Sequence, residues 1–335
     1  MKVLITGGAG FIGSTVATRL LQEGDVPVLL DDLSRGRAEF GDPLGDGRVL
    51  YRGDIADEAL VERILTEHPD IEAVVHCAAR IVVPESVADP LTYYRTNVAK
   101  PLTLVRTLLR HGVRRFLFSS TAALYEPGED FTVTEESAPN PTNPYARSKL
   151  MLEQALADIT AAEPLRVLSL RYFNPVGADP ELRTGLQDPY PSHALGRLIQ
   201  AHEKHEPYVL MGTDWPTRDG STVRDYIHVW DLAEAHAAAL HRFDAIVAEE
   251  GPHPVINLGT GRGTTVRELV AAFDEVTGGT LEVVEAPRRE GDVIGCYTRV
   301  DKAERLLGWR AAKTLREGIA DSLAWAAKRP SVLGE

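Results

Sequence analysis

Cysteine is scarce in this chain of 335 residues, which contains two, Cys77 and Cys296. They stand far apart and form neither a C-x-x-C pair nor a metal-ligand pattern, so the sequence predicts no disulfide framework and no metal site. Free thiols are typical of a reducing compartment, and we expect a cytoplasmic protein. The segment MKVLITGGAG at the amino terminus has an apolar run too short and too rich in glycine for a signal peptide.

Two further absences narrow the class of protein. The sequence has no run of about 18 apolar residues, so it predicts no membrane span. It also lacks a basic block, and a formal net charge of -13 argues against nucleic-acid binding because no cationic cluster is available to neutralise phosphates. With 44% hydrophobic and 25% charged residues, the composition is that of a soluble globular protein.

What the chain does contain is a regular alternation of strands and helices. KVLIT, VPVLLD, RVLYR, AVVHCA, RFLFSS and RVLSLR are short apolar runs typical of strands, and longer amphipathic segments separate them. This pattern predicts an α/β fold with a doubly wound parallel sheet of the Rossmann type. The regularity ends near residue 178, so we expect a first domain over residues 1–178 and a smaller, discontinuous one over 179–335. PVINLGTG, near 254–261, is expected to return a strand to the first sheet.

The segment TGGAGFIG follows the first predicted strand and opens the first predicted helix. Gly7, Gly10 and Gly13 form G-x-x-G-x-x-G, a spacing variant of the fingerprint in which the backbone approaches a dinucleotide pyrophosphate at a helix N-terminus. Asp31 ends the second strand, where a carboxylate accepts from both ribose hydroxyls and repels a 2′-phosphate, so NAD is favoured over NADP. Asp54, after the third strand, suits an adenine contact, and a helix-capping turn explains it equally well.

The segment NPYARSKLMLEQ places a tyrosine and a lysine one helical turn apart. Asn143 is a good N-cap and Pro144 suits the first helical position, so a helix beginning there puts Tyr145 and Lys149 on one face. Two ordinary helix-surface residues give the same pattern. Beside a nicotinamide, however, hydride removal from a carbinol carbon needs a base, and a tyrosine whose pKa is lowered by a lysine and by the cationic ring can serve.

Hydroxyl side chains follow the fifth predicted strand, in FLFSSTAALY, at the edge of the sheet where such folds bind ligands. Ser119, Ser120 and Thr121 offer groups that can bridge a substrate and Tyr145. A strand-end turn explains any one of them alone. The combination with the glycine fingerprint and Tyr-x-x-x-Lys is much harder to obtain by chance.

Nearly the whole chain resembles the extended short-chain dehydrogenase/reductases, and among them the UDP-glucose (UDP-galactose) 4-epimerases. The segments that carry the resemblance are GGAGFIGS, YYRTNV, FLFSSTAALY, NPYARSKLMLEQ, LRYFNPVGADP, DGSTVRDYIHVWDLA, INLGTGRGTTV, PRREGD and LGWRAAKTL. The run DGSTVRDYIHVWDLA followed by NLGTG is specific to sugar-nucleotide epimerases. The resemblance implies NAD in the first domain, a UDP-sugar in the second, and inversion at C4 of a UDP-hexose through a 4-keto intermediate, a reaction of galactose metabolism.

The resemblance also implies roles for individual residues. Tyr145 would act as acid/base on the sugar 4-OH, Lys149 would hold the nicotinamide ribose and tune Tyr145, and Thr121 would orient the hydroxyl. The residues implied to contact or support the cofactor are Gly7, Gly10, Phe11, Ile12, Gly13, Asp31, Asp54, Ile55, Asn97, Ser119, Tyr145, Lys149 and Tyr172. Those implied to bind the UDP-sugar are Thr121, Tyr145, Asn174, Arg224, Arg289, Asp292 and Cys296, and the planar guanidinium groups suit phosphate oxygens.

At several positions the chain departs from the family pattern. Glu126 replaces a glycine beside Thr121, Met211 replaces an aromatic residue near the uracil, and Ile81 replaces a lysine found in some members. Cys296 aligns with a position in the sugar pocket that is either tyrosine or a small residue. Because a small residue there is associated with N-acetylated sugars, interconversion of UDP-GlcNAc and UDP-GalNAc is a further hypothesis.

Other functions on the same scaffold must be weighed against this one. A 4,6-dehydratase or decarboxylase carries an acidic residue just after the strand-end threonine, where this chain has Ala122 and Ala123. A UDP-uronate or UDP-pentose 4-epimerase stays open, since sugar preference depends on few contacts. A non-catalytic NAD-binding regulator usually lacks the tyrosine or the lysine. The family implies a homodimer through the helix of LTYYRTNVAKPLTLVRTLLRHG and that of Tyr145, although the apolar stripe of each helix could equally face the sheet.

Overall fold

The structure, a computed structural model, describes residues 1–41, 44–279, 281–288 and 293–335. Its β-strands are β1 (Lys2–Thr6), β2 (Val26–Asp31), β3 (Val49–Arg52), β4 (Ile71–His76), β5 (Arg115–Thr121), β6 (Thr132–Val133), β7 (Arg166–Tyr172), β8 (Asn174–Val176), β9 (Tyr208–Met211), β10 (Val223–Arg224), β11 (Tyr226–His228), β12 (Val255–Leu258), β13 (Thr264–Thr265), β14 (Val283–Ala286) and β15 (Tyr297–Thr298). Its α-helices are α1 (Phe11–Gln22), α2 (Glu58–Glu67), α3 (Val83–Ala88), α4 (Pro90–Tyr94), α5 (Lys100–Arg110), α6 (Pro144–Ala162), α7 (Ala194–Lys204), α8 (Val229–His241), α9 (Phe243–Glu250), α10 (Val266–Thr277), α11 (Asp301–Leu307) and α12 (Leu315–Leu333).

A seven-stranded sheet lies at the centre of the molecule, with the strand order β12-β7-β5-β4-β1-β2-β3. Every neighbouring pair in it is parallel. The chain winds outward from β1 through β2 and β3 on one side and then resumes with β4 on the other. This is the doubly wound Rossmann arrangement that the alternating pattern predicts. In such sheets ligands bind beyond the carboxyl ends of the strands where the winding reverses, here between β1 and β4.

Both faces of the sheet are buried, which explains why its strands are almost continuously apolar. One core cluster joins the sheet to α1, α8, α9 and α11, with Leu20 and Leu232 fully buried in it. The other joins the opposite face to α2, α5 and α6 through residues such as Leu104 and Leu152. The residues at the carboxyl ends of the strands are therefore anchored in a sheet that is packed from both sides.

Chain segments beyond residue 178 contribute to the sheet layer. β12 pairs with β7, from Val255 opposite Ser169 to Leu258 opposite Tyr172. The helices α8 and α11 pack in the same core as β1. The sheet layer therefore includes residues that precede β12 in the chain and residues that follow it.

A smaller α/β unit sits beside the carboxyl edge of the sheet. β8 begins one residue after β7 ends and pairs with β11, so the chain enters this unit directly from the sheet edge. Its core combines α7, α10 and α12 with β9, and includes Leu198, Phe273 and Ile319. Among the described helices, none is both long and apolar enough to cross a bilayer.

The helix predicted over residues 91–112 is interrupted in the structure. α4 ends at Tyr94, a π-helical turn covers Arg95–Ala99, and α5 begins at Lys100. Pro101 lacks a backbone N–H, and its ring clashes with the carbonyl four residues earlier, that of Asn97, in a regular α-helix. A wider turn relieves that clash, and such turns are frequent at functional sites.

Candidate active site

A cleft of about 1640 Å³ extends along the carboxyl edge of the sheet and is lined by both units. The sequence-predicted residues that line it are Gly7, Gly10, Phe11, Ile12, Gly13, Asp31, Asp54, Ile55, Ser119, Thr121, Tyr145, Lys149, Tyr172, Asn174, Arg224 and Cys296. A pocket for one drug-sized ligand measures roughly 300–1,000 Å³. The cleft is therefore large enough for two ligands side by side. Arg289 and Asp292 lie outside the described residues.

The turn between β1 and α1 leaves no room for side chains. Gly7 has a φ of 71°, and a Cβ on it would lie 2.6 Å from the backbone nitrogen of Ala78. A Cβ on Gly13 would lie 2.3 Å from the carbonyl oxygen of Gly7. The N-cap of α1 is Gly10, which supplies no side-chain cap, and no acidic residue lies in the first turn. The helix N-terminus thus presents N–H groups and a positive dipole to an anion such as a pyrophosphate.

Asp31 lies at the end of β2, one strand away from this turn. Its Oδ2 accepts from the backbone N–H of Ala9 at 3.0 Å and its Oδ1 from that of Leu33 at 2.8 Å. Burial raises the pKa of Asp31, and the two backbone hydrogen bonds oppose the shift. The carboxylate is thus fixed beside the pyrophosphate site, where ribose hydroxyls can donate to it.

Asp54 lines the cleft and also forms hydrogen bonds within the protein. Its Oδ1 accepts from the N–H of Ala56 at 2.9 Å, and its Oδ2 accepts from Lys100 Nζ at 2.5 Å. Burial opposes ionisation, yet the Lys100 hydrogen bond leaves the pKa of Asp54 below its usual value. Asp54 thus forms a turn with Ala56, while the cap of α2 is Asp57, and Asp54 lines the cleft; its contact with adenine stays a prediction.

Asn97 supports the site from behind and does not line the cleft. Its Oδ1 accepts from the N–H of Arg80 at 2.8 Å, while its Nδ2 donates to the carbonyl of Arg80 at 2.9 Å and to Ser148 Oγ at 3.0 Å. Ser148 in turn donates to the carbonyl of Tyr145 at 2.7 Å. Asn97 therefore ties the loop after β4 to the helix that carries Tyr145, which is a supporting role and not direct cofactor contact.

Thr121 and Tyr145 meet at the catalytic edge. Thr121 ends β5, and Tyr145 lies in the first turn of α6, whose predicted cap is present because Asn143 Oδ1 accepts from Ala146 N at 2.9 Å. Thr121 Oγ1 accepts from the N–H of Ala123 at 3.1 Å, which leaves its hydroxyl proton for the phenol. Burial raises the pKa of Tyr145, and the Thr121 hydrogen bond opposes the shift.

Lys149 lies in the same helix, but its ammonium is directed to β5. Nζ donates to the carbonyl of Ser119 at 2.8 Å and lies 4.8 Å from the centre of the Phe118 ring. Burial lowers the pKa of Lys149 to about 8. Among the protein groups, burial has the largest effect on the pKa of Tyr145 and Thr121 opposes it, so the lowering of that pKa by Lys149 stays a prediction.

The other two strand-end hydroxyls already have partners. Ser119 Oγ lies 3.1 Å from Cys77 Sγ and also interacts with Tyr172, whose pKa is raised well above its ordinary value by burial. Ser120 donates to Glu153 Oε1. Of the three hydroxyls, Thr121 is thus the one directed at Tyr145.

The far end of the cleft holds the residues predicted for the sugar nucleotide. The guanidinium of Arg224 donates to the backbone carbonyls of Val223, Ile294 and Val293 at 2.7, 3.1 and 3.2 Å. An arginine carries five N–H donors, so others remain for an anion. Asn174, the first residue of β8, is half-buried on the cleft wall. Cys296 is buried, and burial raises the pKa of its thiol to about 12.

Sequence reasoning missed an aromatic residue on this wall. Trp215 lines the cleft, and the guanidinium of Arg288 lies 3.7 Å from the centre of its ring. Arg288 also donates to Asp214 Oδ1 at 2.6 Å. The available signal was a tryptophan four residues after Met211, where the family's aromatic residue is absent. This side of the cleft therefore still offers an aromatic ring.

Comparisons with known proteins agree with this geometry. The model of the NAD dependent epimerase/dehydratase family matches residues 3–259. The chain is 43% identical to the UDP-glucose 4-epimerase of Azospirillum brasilense over 97% of this chain and 91% of that protein. Among solved structures, it superposes with a TM-score of 0.92 and 36% identity on a UDP-glucose-4-epimerase from Stenotrophomonas maltophila with bound NAD and formylated UDP-arabinopyranose, covering 99% of both chains. The Bifidobacterium longum UDP-glucose 4-epimerase, in complex with NAD+ and UDP, gives 0.90 and 37%, covering 99% of this chain and all of that one (100%).

Proposed function

The chain belongs to the NAD-dependent epimerase/dehydratase family, and from that premise we propose that it inverts C4 of a UDP-hexose, interconverting UDP-glucose and UDP-galactose. The observation that carries the proposal is that Tyr145 and the strand-end Thr121 line one cleft together with the glycine turn after β1 and with Arg224. The relatives described above share the whole length of the chain. The enzyme is thus an NAD-dependent isomerase of sugar nucleotides.

The residues of the first half of the cleft fit NAD. Gly7 and Gly13 leave a cradle that any Cβ would fill, and the N-terminus of α1 presents N–H groups there. The carboxylate of Asp31 suits an adenosine ribose with a free 2′-hydroxyl. When bound, the cofactor supplies hydride chemistry, removing hydride from C4 and returning it to the opposite face of a 4-keto sugar.

The side chains of the protein transfer the proton and orient the reacting hydroxyl. Tyr145 takes the 4-OH proton as hydride leaves and returns it after the sugar has turned. Thr121 donates to the phenol oxygen and so stabilises its ionised form. Lys149, whose ammonium donates to the Ser119 carbonyl, is proposed to hold the nicotinamide ribose, and a cationic nicotinamide would add to the stabilisation of the phenolate.

The diphosphate end must hold the nucleotide while the sugar turns. Arg224 and Asn174 are proposed to bind the diphosphate, and Arg289 and Asp292, which lie outside the described residues, to complete the UDP site. The wall beside Thr121 is built from Ala122, Tyr125 and Cys296, which offer the sugar few directional contacts. A sugar that is tethered only at its diphosphate can present either face to the cofactor.

The residues next to Thr121 argue against two alternatives. Ala122 and Ala123 form a short 3-10 turn where a dehydratase needs an acid for elimination. Glu126 lines the cleft five residues after Thr121 and accepts a hydrogen bond from Asn140. A carboxylate at this end repels the carboxylate of a UDP-uronate. UDP-hexoses, whose sugar carries no charge, are therefore favoured over UDP-uronates.

We also propose that the enzyme is a homodimer. Val87, Leu91 and Met151 are 64%, 81% and 47% exposed on α3, α4 and α6, which pack against one another. An apolar patch spanning adjacent helices is typical of an interface. A second copy of the same helices covers it symmetrically. We assign the reaction to cytoplasmic galactose metabolism, since the thiol of Cys77 in the cleft is preserved under reducing conditions.

The experiment is proton NMR of the anomeric region with the protein as purified, UDP-galactose and no added NAD. We expect UDP-glucose to appear up to the equilibrium mixture. The matched control is Tyr145→Phe, in which the rate falls by about 10²- to 10⁴-fold while the bound cofactor is retained. If folded, NAD-loaded protein leaves UDP-galactose unchanged, the proposed substrate is wrong, and UDP-GalNAc and UDP-glucuronate are tested next.

A further inference from the structure

A buried ion pair lies directly behind the catalytic strand. Arg171 on β7 and Glu153 on α6 are 7% and 4% exposed, and their Nη2 and Oε2 atoms are 2.5 Å apart. Arg171 Nε adds a second bond to Glu153 Oε1 at 3.0 Å. This is the bidentate geometry that arginine forms with a carboxylate. The pair belongs to neither the cofactor site nor the sugar-nucleotide site described above.

Further hydrogen bonds fix both members of the pair. Ser120 on β5 donates to Glu153 Oε1. Arg171 Nη1 donates to the hydroxyl of Tyr125 at 2.7 Å, and that hydroxyl donates to Asn257 Oδ1 at 2.9 Å. The network thus joins α6 to β5, β7 and β12. The Glu153 carboxylate has little freedom to move relative to the rest of its helix.

Glu153 lies one helical turn after Lys149, on the same face of α6. Lys149 is 3% exposed and receives no carboxylate hydrogen bond in the described residues. A buried ammonium is costly unless negative charge lies near it. Two acidic groups act on Lys149, Glu153 and the Cys77 thiol. Burial raises the pKa of the Cys77 thiol to about 11, so that thiol is uncharged at neutral pH. The Glu153 carboxylate, which is ion-paired with Arg171, is left as the anion near Lys149.

Apart from Arg171, the other described groups around Lys149 are uncharged at neutral pH. On the same helix, burial raises the pKa of Tyr145. From β4 comes His76, whose pKa burial and the Lys149 cation lower to about 3. From β5 come the Ser119 carbonyl and the Phe118 ring. From β7 comes Tyr172, whose pKa burial raises. Arg171 is the further charged member of this set among the described residues, and its guanidinium donates hydrogen bonds to Glu153 and Tyr125.

We propose that Glu153 is a positioning residue that keeps Lys149 protonated during the reaction, and that the bidentate Arg171 holds its carboxylate in place for that purpose. The proposal rests on the proposed function, since it is Lys149 through which Glu153 acts on catalysis. Removing the negative charge should lower the pKa of Lys149 by about one unit, the lower end of the shift that a nearby opposite charge produces. The pKa of Lys149 is already about 8, so a fall of about one unit would bring it into the neutral pH range.

The test compares the pH dependence of kcat in the wild type, Glu153→Gln and Ser120→Ala, with NAD bound throughout. In Glu153→Gln the alkaline limb of the profile should move to lower pH by about one unit. In Ser120→Ala, which removes a hydrogen bond from the same network but no charge, the limb should stay in place. The double variant Glu153→Gln/Arg171→Met removes both charges. If Glu153→Gln alone fails to fold with an unpaired buried guanidinium, this double variant should move the limb in the same direction by a smaller amount, because loss of the Arg171 cation partly offsets loss of the carboxylate.

A direct readout separates this proposal from the proposed function. The lysine Cε signal is followed by NMR in 13C-lysine-labelled protein, with Lys149 assigned from its loss in Lys149→Met. We expect the titration midpoint of Lys149 to fall in Glu153→Gln whether or not any UDP-sugar is turned over. An unchanged midpoint together with an unmoved alkaline limb overturns the proposal. So does an equal displacement in Ser120→Ala, since that result makes the network merely structural.

Discussion

Single side chains on the sugar wall decide how large a substituent fits. Cys296 is 8% exposed and packs in a cluster with Ala122, Tyr125, Val133 and Phe173. It also lines the cleft. Because the cluster behind it is filled, a larger side chain at this position has to extend into the space beside the sugar. We therefore propose that the size of residue 296 controls the room available at the sugar C2, where an N-acetyl group is carried.

From this packing we expect Cys296→Tyr to abolish the conversion of UDP-GlcNAc to UDP-GalNAc selectively. kcat/KM for the N-acetylated substrate should fall by about 10- to 100-fold, while that for UDP-galactose changes by less than about threefold. Both activities are measured by NMR on the same preparation, with Cys296→Ala as the small-residue control that keeps both. Loss of both activities, or of neither, argues against this role for Cys296.

The secondary-structure elements show which contacts in the site can be predicted from the sequence. The cap at Asn143 and the strand β5 are local, and the parallel strand order brings their ends to one edge, so the meeting of Thr121 and Tyr145 was predictable. The partners of Ser119 and Ser120 were not, because Cys77 and Glu153 lie 42 and 33 residues away in the chain. Nothing in the local pattern indicates that these two serines are occupied by such distant groups.

The π-helical turn over Arg95–Ala99 illustrates the same limit on the other side of the cleft. Apolar periodicity predicts one continuous helix, and Pro101 in the sequence was the signal that it is interrupted. The interruption places Asn97 where it binds both backbone groups of Arg80. Tertiary hydrogen bonds, which periodicity does not encode, fix the wider turn.

At the level of whole helices we expect Leu91→Glu to convert the proposed homodimer to a monomer. Leu91 is 81% exposed on α4, and a carboxylate buried against its copy lacks a partner and repels the equivalent group across the two-fold axis. Size-exclusion chromatography with light scattering measures the mass. Val209→Glu, at a half-exposed position on β9 in the other unit, is the control that keeps the wild-type mass. A wild-type protein that is already monomeric, or a Leu91→Glu protein that stays dimeric, contradicts the assigned interface.

At the scale of the molecule, the cleft lies where the smaller unit meets the carboxyl edge of the seven-stranded sheet. β7 leads into β8 through Phe173, so the sheet that positions Thr121 and the unit that carries Arg224 are held together by continuous backbone. The chain returns to the sheet through β12, which adds a second covalent link. The large hydrophobic clusters on both faces of the sheet then make the site depend on the stability of the whole fold.

Two buried histidines lie in those clusters and link stability to pH. His76 in β4 is 1% exposed, with Nδ1 2.7 Å from Thr6 Oγ1, and burial together with the Lys149 cation lowers its pKa to about 3. His236 in α8 is fully buried, and burial lowers its pKa to about 4 although the Leu232 carbonyl opposes the shift. In the unfolded chain both have pKa values of about 6.5. Between these limits the unfolded chain binds protons that the folded protein does not, so stability falls as the pH falls below about 6.5.

We therefore expect the free energy of unfolding to decrease between about pH 6.5 and pH 4.5 by up to about 1.4 kcal/mol per pH unit for each of the two histidines. His236→Leu removes one of the buried bases, and its unfolding free energy should depend less steeply on pH by one bound proton. Urea unfolding at a series of pH values in this range measures the slope, and His111→Leu, at an exposed position, is the matched control. The same slope in His236→Leu and in the wild type means that His236 takes up its proton without unfolding, and the assignment of acid sensitivity to it is then wrong.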